Sequence, residues 1–524
     1  MSYQGIPYAE PPINELRFLA PIPKERWSDV LEATSEGPVC PQPEGVYKYN
    51  QMSEDCLFLN INVPFYSLEK KLPVFFFIHG GEFQLLSGNT DKIYGPEMFL
   101  MNSIIFISVN YRLGALGFLS LEIPEASGNA GIKDVILALE WVKENIGNFG
   151  GDPERITIGG HSAGAVLTHF LTLTDKTTGL FNQAILISGS ALGYRFFAKH
   201  PKENAIALGE ELNLRTGNIT ELLEDLKIIK FINIIQTQVK MAEGNERNAV
   251  RPYAPFVPCK ELQNSDAVIT ENPIDILRKG LTQNVPILAG FNSHEGLKML
   301  PAVTKDQTIL KYINNNFELA IPSNIEYPYG SNESRELADS IKEIYFDNND
   351  MDVARYHYLD FVNFITDTQF FYSINSWIDI HKRNEESNVL FYYKLNFDGD
   401  LNWFKLKNNV TYPGTSHADE LGYLFVTDIT KNILSDVDIK TKKAMFIILL
   451  FWTNFIKYGN PNSFENPTLW QETRQNLEYL TINEDPTFIN STHAPELYEF
   501  WTKVYEAYNS YVENGGEIEN KIVP

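Results

Sequence analysis

A serine framed by glycines is the feature of this sequence that most constrains its fold. The motif GHSAG at 160–164 lies between an apolar run, 155–159, and a helix-like stretch, 165–171. This context predicts a sharp turn from a buried strand into a helix, with the Ser162 hydroxyl exposed at the turn. The flanking glycines permit a close backbone approach, and the helix that follows offers N–H groups to a negative charge. We therefore interpret Ser162 as a candidate nucleophile.

The bulk composition predicts a large globular chain and argues against two kinds of partner. The chain has 524 residues, of which 44% are hydrophobic, and a formal net charge of -24. An acidic chain without a Lys/Arg cluster is poorly suited to nucleic acid or to an anionic membrane. The longest apolar run, 444–452, is far shorter than the roughly 20 residues that span a bilayer. We expect neither a nucleic-acid partner nor a transmembrane segment.

Short apolar runs alternate with amphipathic stretches, and no repeat or linker divides the chain. This alternation predicts an α/β fold with a central, mostly parallel sheet flanked by helices. Longer helical patterns in the middle of the chain predict helical insertions over the active site. We predict a single domain over 1–515 and a C-terminal tail at 516–524, with a closing helix at 496–512. Strands are predicted at 74–78, 104–110, 156–159, 184–188, 286–291 and 389–395.

Two glycines follow the first predicted central strand, in the segment His79-Gly80-Gly81-Glu82. Glycines at a strand end can turn bare backbone N–H groups toward a developing negative charge. Alone, such a segment also makes ordinary turns. Together with the Ser162 turn, it predicts the second half of an oxyanion hole.

A base and an acid for Ser162 are sought in the order serine, acid, histidine. His417 lies in a turn-rich loop after the predicted strand 389–395, a placement that suits a general base from another segment. Glu295 follows the predicted strand 286–291 and would hold the His417 tautomer. Ser162, Glu295 and His417 are therefore the candidate triad.

The chain resembles the type-B carboxylesterase family, which includes cholinesterases, juvenile hormone esterases and insect α-esterases, and it looks most like the α-esterases. The resemblance implies an α/β-hydrolase fold that is short at its N-terminus relative to the family. The motifs that carry it occur in order over nearly the whole chain: GIPYAEPP at 5–12, SEDCL at 53–57, HGG at 79–81, NYRLG at 110–114, FGGDP at 149–153, GHSAG at 160–164 and HADEL at 417–421.

The family's chemistry implies roles for individual positions. Ser162 matches the nucleophile, Glu295 the acid and His417 the base of a two-step ester hydrolysis that needs no cofactor and no metal. The oxyanion donors implied are the backbone N–H groups of Gly81, Glu82 and Ala163. The expected partner is a small-molecule ester, and the sequence leaves the oligomeric state open.

Neither the cysteine spacing nor the sequons decide the compartment. The spacing of Cys40 and Cys56 alone allows either a bridge or two reduced thiols, and the resemblance implies the family's first disulfide. The chain begins close to the family's first motif, so we expect secretion if a family-type signal peptide is missing here, and otherwise a cytoplasmic protein. Glycosylation would follow from secretion, with N-x-S/T sequons at Asn218, Asn332, Asn409 and Asn490.

Two departures from the family pattern fall beside the nucleophile. Glu82 stands where glycine is common, and its carboxylate either repels the developing oxyanion, holds a water or pairs elsewhere. His161 stands where glutamate is common, and it either alters the pH profile or is buried and neutral. Both positions are candidates for tuning turnover.

The leading interpretation is a serine carboxylesterase for xenobiotic, odorant or lipid-like esters, a detoxification role. A juvenile hormone esterase is one alternative. A second is a slow-turnover sequestering or non-catalytic cholinesterase-like protein. The chain has no Trp between Trp27 and Trp141, where choline-binding relatives carry one, which argues against a choline-ester specialist.

Overall fold

A ten-stranded sheet forms the centre of the computed structural model, which describes residues 1–65, 71–243, 254–353, 358–384 and 388–515. A small separate hairpin is formed by β5 and β6. The strands are β1 (Ser2–Pro7), β2 (Phe58–Asn62), β3 (Leu72–Ile78), β4 (Ile105–Val109), β5 (Ser120–Ile123), β6 (Ala126–Ser127), β7 (Gly151–His161), β8 (Gln183–Ile187), β9 (Ile287–Asn292), β10 (Leu390–Leu395), β11 (Tyr479–Ile482) and β12 (Thr487–Ile489).

The strand order of the large sheet is β1-β2-β4-β3-β7-β8-β9-β10-β11-β12. The six pairings from β4 to β11 are parallel, and the pairings toward the two edges are antiparallel. The carboxyl ends of the central strands therefore meet along one edge, where ligands bind in sheets of this kind.

Helices cover both faces of this sheet. The α-helices are α1 (Glu97–Met101), α2 (Gly114–Phe118), α3 (Ala130–Asn145), α4 (Ala163–Thr172), α5 (Pro201–Glu211), α6 (Ile219–Ile228), α7 (Phe231–Glu243), α8 (Pro273–Arg278), α9 (Leu300–Lys305), α10 (Thr308–Asn315), α11 (Asn332–Phe346), α12 (Tyr358–Thr366), α13 (Tyr372–Asn384), α14 (Trp403–Asn408), α15 (Leu421–Leu424), α16 (Ile439–Tyr458) and α17 (Pro495–Glu513).

The apolar run of β3 shows why the central strands have no polar face. Phe76 packs in a core with residues of α3 and α4, whereas Phe75 and Phe77 pack in a second core with residues of α16. Alternate side chains of the strand thus enter different cores on opposite faces. A strand buried on both faces reads as a continuous apolar run, as the sequence pattern indicated.

A third core lies within the helical insertion that follows β9. Helices α9 to α12 pack there against α17, around residues such as Leu337, Phe361 and Trp501. The Gly296 N–H donates to Thr366 Oγ1 at 3.0 Å, which ties the end of α12 to the segment after β9. The predicted insertion is therefore joined directly to the edge of the sheet where the carboxyl ends lie.

The predicted fold class is confirmed, and each of the six predicted strands overlaps an observed one. The edge strands β1, β2, β11 and β12 were not predicted. Cys40 and Cys56 form the disulfide that the family resemblance implied, and the Cys259 thiol is free and buried. The predicted tail, 516–524, lies outside the described residues. Across the described ranges, no helix is both long and apolar enough to cross a bilayer.

A buried ion pair joins the segment after β4 to α3. Arg112 donates from Nε and Nη2 to Asp134 at 2.8 and 2.6 Å, and its backbone N–H donates to the same carboxylate at 3.0 Å. The two side chains are only 4% and 0% exposed. Because neither charge can be solvated by water, each depends on the other.

We expect Asp134→Asn to lower the free energy of unfolding by about 3 kcal/mol, because it leaves the Arg112 guanidinium buried without a counter-charge. Urea denaturation followed by tryptophan fluorescence measures this. Arg215→Gln is the matched control, since Arg215 makes a bidentate contact with Asp225 on the surface. An equal shift of both denaturation midpoints would contradict the prediction.

Candidate active site

Ser162 lies at the sharp turn between the end of β7 and the start of α4, as predicted. Its backbone has φ 56° and ψ -122°, a conformation that residues other than glycine seldom adopt. Two glycines permit the turn. A Cβ at Gly164 would lie 2.0 Å from the carbonyl oxygen of Ile78, and one at Gly80 would lie 2.6 Å from that of His161. The turn therefore packs directly against the end of β3.

The structure brings the three predicted residues Ser162, His417 and Glu295 into one hydrogen-bonded chain. His417 Nε2 is 2.9 Å from Ser162 Oγ, and His417 Nδ1 is 2.7 Å from Glu295 Oε2. Ser162 is 3% exposed and Glu295 is fully buried. With the Nδ1 hydrogen donated to the carboxylate, Nε2 is left to accept the serine proton.

Local hydrogen bonds fix the acid and the base. Glu295 begins a 3₁₀ helix, Glu295–Met299, just after β9, and its Oε1 accepts the Asn292 N–H at 2.7 Å. Beyond His417, the buried carboxylate of Asp419 accepts the Ser416 N–H at 2.6 Å and the Lys405 N–H at 3.1 Å. The Glu295 carboxylate is thus held by its own turn, and the turn that carries His417 is held by Asp419.

Burial controls the protonation of this pair. It raises the pKa of Glu295, against the Asn292 N–H that stabilises the carboxylate, and lowers the pKa of His417 well below its usual 6.5. The positive charge of Lys298 lowers the pKa of His417 further, whereas the Glu420 carboxylate raises it. Because the two groups are hydrogen-bonded, they titrate together. Because the pKa of His417 is lowered, its imidazole stays neutral and can accept a proton.

The oxyanion loop, residues 79–83, lies across from this chain. Its Gly81 has φ 100° and its Glu82 has φ 58°. The His79 carbonyl accepts a hydrogen bond from Tyr111 Oη at 3.0 Å, which anchors the start of the loop. Ala163 is the first residue of α4, so its N–H has no acceptor within the helix. These backbone positions are the predicted donors to a negative oxygen.

His161 is buried, as one of the two sequence interpretations expected. Its side chain is 5% exposed, and Nε2 lies 3.3 Å from Oε1 of Glu420, which is itself buried. The ring centroids of His161 and His417 are 4.8 Å apart. The His161 imidazole and the Glu420 carboxylate therefore lie next to the hydrogen-bonded chain of Ser162, His417 and Glu295.

Three further charged residues at the site were missed by the sequence reasoning: Glu420, Arg195 and Lys298. Glu420 follows His417 within the HADEL motif, which was the available signal. Lys298 lies on the 3₁₀ helix of Glu295, and Arg195 lies in the segment after β8. Both cations contact the Glu82 carboxylate. Isolated basic residues in a sequence look like surface groups, so neither was singled out.

A cavity of about 520 Å³ is lined in part by the segment that follows β8. Its wall includes Ala191 and Leu192, which follow Gly189, and Gly189 packs against the Ser162 backbone. Other parts of its wall are Tyr372 and Ser376 of α13 and Tyr505 of α17, whose ring stacks on that of Tyr372. Its volume falls within the range of small-molecule sites. In the described part of the chain, no group of three or more His, Cys, Asp or Glu residues is placed to hold a metal ion.

Comparison with known proteins gives consistent results over the whole chain. The model of the Carboxylesterase family matches residues 1–501. Juvenile hormone esterase of Heliothis virescens is 32% identical over 97% of this chain and 90% of its own length, and that of Tribolium castaneum is 33% identical over 96% and 90%. The crystal structure of juvenile hormone esterase from Manduca sexta, with OTFP covalently attached, superposes with a TM-score of 0.86 at 30% identity, covering 96% of this chain and 95% of that one.

Proposed function

This chain belongs to the carboxylesterase family and is a serine carboxylic ester hydrolase, and we propose that Ser162, His417 and Glu295 carry out its reaction. The proposal rests chiefly on one observation, the 2.9 Å contact between Ser162 Oγ and His417 Nε2. That distance allows direct proton transfer from the hydroxyl to the imidazole.

In the first half of the reaction, His417 takes the Ser162 proton as Oγ attacks the ester carbonyl. The carbonyl oxygen becomes negative and accepts hydrogen bonds from the N–H groups of Gly81, Glu82 and Ala163. His417 then returns the proton to the leaving alcohol, and the acyl group remains on Ser162. Glu295 stabilises the imidazolium in between without taking the proton.

In the second half, water replaces the alcohol. His417 removes a proton from the water, whose oxygen attacks the acyl carbon and forms a second tetrahedral intermediate at the same donors. The carboxylic acid departs as His417 protonates Ser162 Oγ, which restores the resting enzyme.

We expect Ser162→Ala to lower kcat for p-nitrophenyl acetate by at least about 10³-fold, because no other group supplies the nucleophile. Labelling with a fluorophosphonate probe should be lost in the same variant. The matched control is Ser334→Ala, which removes a buried hydroxyl on α11. Full activity in Ser162→Ala would refute the mechanism.

The acid limb of kcat/KM should lie below pH 6.5. The reaction needs neutral His417, and burial together with the nearby charge of Lys298 lowers the pKa of that imidazole below its usual 6.5. Activity is therefore retained as pH falls through 6.5, and it is lost only when His417 becomes protonated. A pH profile of kcat/KM with a neutral ester measures this. A limb above pH 6.5 would contradict the assignment.

We propose that the substrates are neutral, largely apolar esters of xenobiotic, odorant or lipid-like character. The cavity of about 520 Å³ supports an ester of this size, and the apolar part of its wall, which includes Leu192 and Phe197, offers a surface for an apolar chain. In this proposal, one part of the ester enters the cavity while its carbonyl stays at Ser162.

Filling this cavity should discriminate between esters by length. We expect Ser376→Phe to lower the ratio of kcat/KM for p-nitrophenyl octanoate to that for the acetate by about tenfold, through steric exclusion of the longer chain. Ser340→Phe, a matched change at a half-buried serine on α11, serves as control. An unchanged ratio would place the acyl chain elsewhere.

Juvenile hormone is the second candidate substrate, favoured by the two juvenile hormone esterases among the relatives. Comparing kcat/KM for juvenile hormone with that for a panel of simple esters separates the two candidates. A slow-turnover sequestering protein would instead give a burst of one product equivalent followed by slow release.

A further inference from the structure

A cluster of opposite charges lies at the oxyanion loop. Glu82 Oε1 is 2.8 Å from Nη2 of Arg195 and 3.5 Å from Nζ of Lys298. The Arg195 and Lys298 side chains are 4% and 8% exposed, whereas that of Glu82 is 44% exposed. One partly exposed carboxylate thus serves two cations that water hardly reaches.

Each member of this cluster comes from a different wall of the site. Glu82 belongs to the loop after β3, and Arg195 to the segment after β8. Lys298 lies on the 3₁₀ helix Glu295–Met299, whose first residue is the proposed triad acid. The Glu82 carboxylate therefore joins the oxyanion loop to the element that carries Glu295.

The backbone of the loop depends on such contacts. Gly81, Glu82 and Phe83 have φ values of 100°, 58° and 62°, three consecutive residues in a left-handed region. This conformation is unfavourable for residues with a Cβ, and it persists only where the surroundings fix it. The ion pairs of Glu82 act on the middle residue of this strained run.

Arg195 depends on Glu82 in turn. Its Nη2 donates to Glu82, whereas Nε and Nη1 have no hydrogen-bond partner in the part of the chain that the structure describes. The guanidinium also lies 4.7 Å from the centroid of the Phe196 ring. Removing the carboxylate would leave a buried cation without a counter-charge, which drives local rearrangement.

Lys298 connects the cluster to the proposed base. Its Nζ lies 5.0 Å from the centroid of the Phe370 ring, which is 4.8 Å from that of the His417 ring. The charges of Arg195 and Lys298 lower the pKa of Glu82 to about 2, whereas burial and Arg195 lower the pKa of Lys298 to about 8. At neutral pH the carboxylate is charged, and Lys298 is mostly protonated.

We propose that the Glu82 side chain is a positioning group, which Arg195 and Lys298 hold so that the strained oxyanion loop keeps its N–H groups aimed at the substrate oxygen. The inference rests on the proposed function, since it assigns those N–H groups to the oxyanion. It extends that function to a carboxylate and two cations outside the triad.

The direction of the effect separates this proposal from simple charge repulsion. A free carboxylate at position 82 would oppose the developing oxyanion, and removing its charge would speed acylation. A carboxylate paired with two cations presents little net negative charge, and removing it frees the loop and leaves two unpaired cations, whose charges make His417 a weaker base. The two accounts therefore predict opposite changes for Glu82→Gln.

We expect Glu82→Gln to lower kcat for p-nitrophenyl acetate by about 10- to 100-fold while KM changes far less, because the lost contact acts on transition-state geometry. Lys298→Met should lower kcat in the same direction. The matched control is Glu326→Gln, since Glu326 is 41% exposed and pairs with Lys199 and His200 away from this loop. That variant should keep the wild-type kcat.

The pH profile supplies a readout that a purely structural role would not move. Wild-type kcat should fall above about pH 8 as Lys298 loses its proton and its attraction to Glu82. Glu82→Gln should move this basic limb to lower pH, because it removes the charge that favours protonated Lys298. Lys298→Met should abolish the limb.

Fluorophosphonate labelling of Ser162 tests the nucleophile separately from the positioning role of Glu82. If Glu82→Gln turns over as fast as wild type or faster, with an unmoved basic limb, the positioning role is overturned while labelled Ser162 still supports the triad. If Glu82→Gln does not fold, Lys298→Met decides: a lower kcat without the basic limb supports the role, and an unchanged profile overturns it. Activity in Ser162→Ala would overturn the proposed function instead.

Discussion

The close contact between the end of β3 and the turn after β7 is the constraint on which the rest of the site depends. It exists because Gly80 and Gly164 have no Cβ, and a methyl group at either would overlap a carbonyl oxygen of the opposite segment. This contact holds the oxyanion loop beside Ser162 before any substrate binds. His417 and Glu295 can act on Ser162 only because the serine is already fixed in this way.

Much of this arrangement could be predicted because its signals are local. Buried parallel strands read as continuous apolar runs, so β3, β4, β8, β9 and β10 were predicted within about two residues at each end, and β7 over part of its length. The hydrogen-bonded arrangement of Ser162, His417 and Glu295 was predictable from chain order together with turn-rich segments at strand ends. The edge strands were not, because β11 and β12 have only four and three residues, which is too short for a comparable pattern.

The charged groups around the triad could not be predicted, because their environment exists only in the folded chain. The position of Glu82 in the HGGE segment drew attention to it, but its partners Arg195 and Lys298 lie 113 and 216 residues further along the chain. Of the alternatives considered for Glu82, the structure agrees with the one in which its carboxylate pairs with another side chain, here that of Arg195. A sequence pattern also gives no sign that Arg195 and Lys298 are buried, since solitary cations are normally exposed.

The chain as a whole is strongly acidic, with a formal net charge of -24, yet the site combines buried charges of both signs. Glu82, Glu295 and Glu420 face Arg195, Lys298 and the two imidazoles across short distances. In a water-poor site, such a set is stable only if each charge lies against a partner. In ester hydrolysis the oxyanion and the imidazolium form together, so the reaction adds no net charge to the site. Fixed dipoles and paired ions can then respond to that charge separation without moving, which is the advantage that a preorganised site has over water.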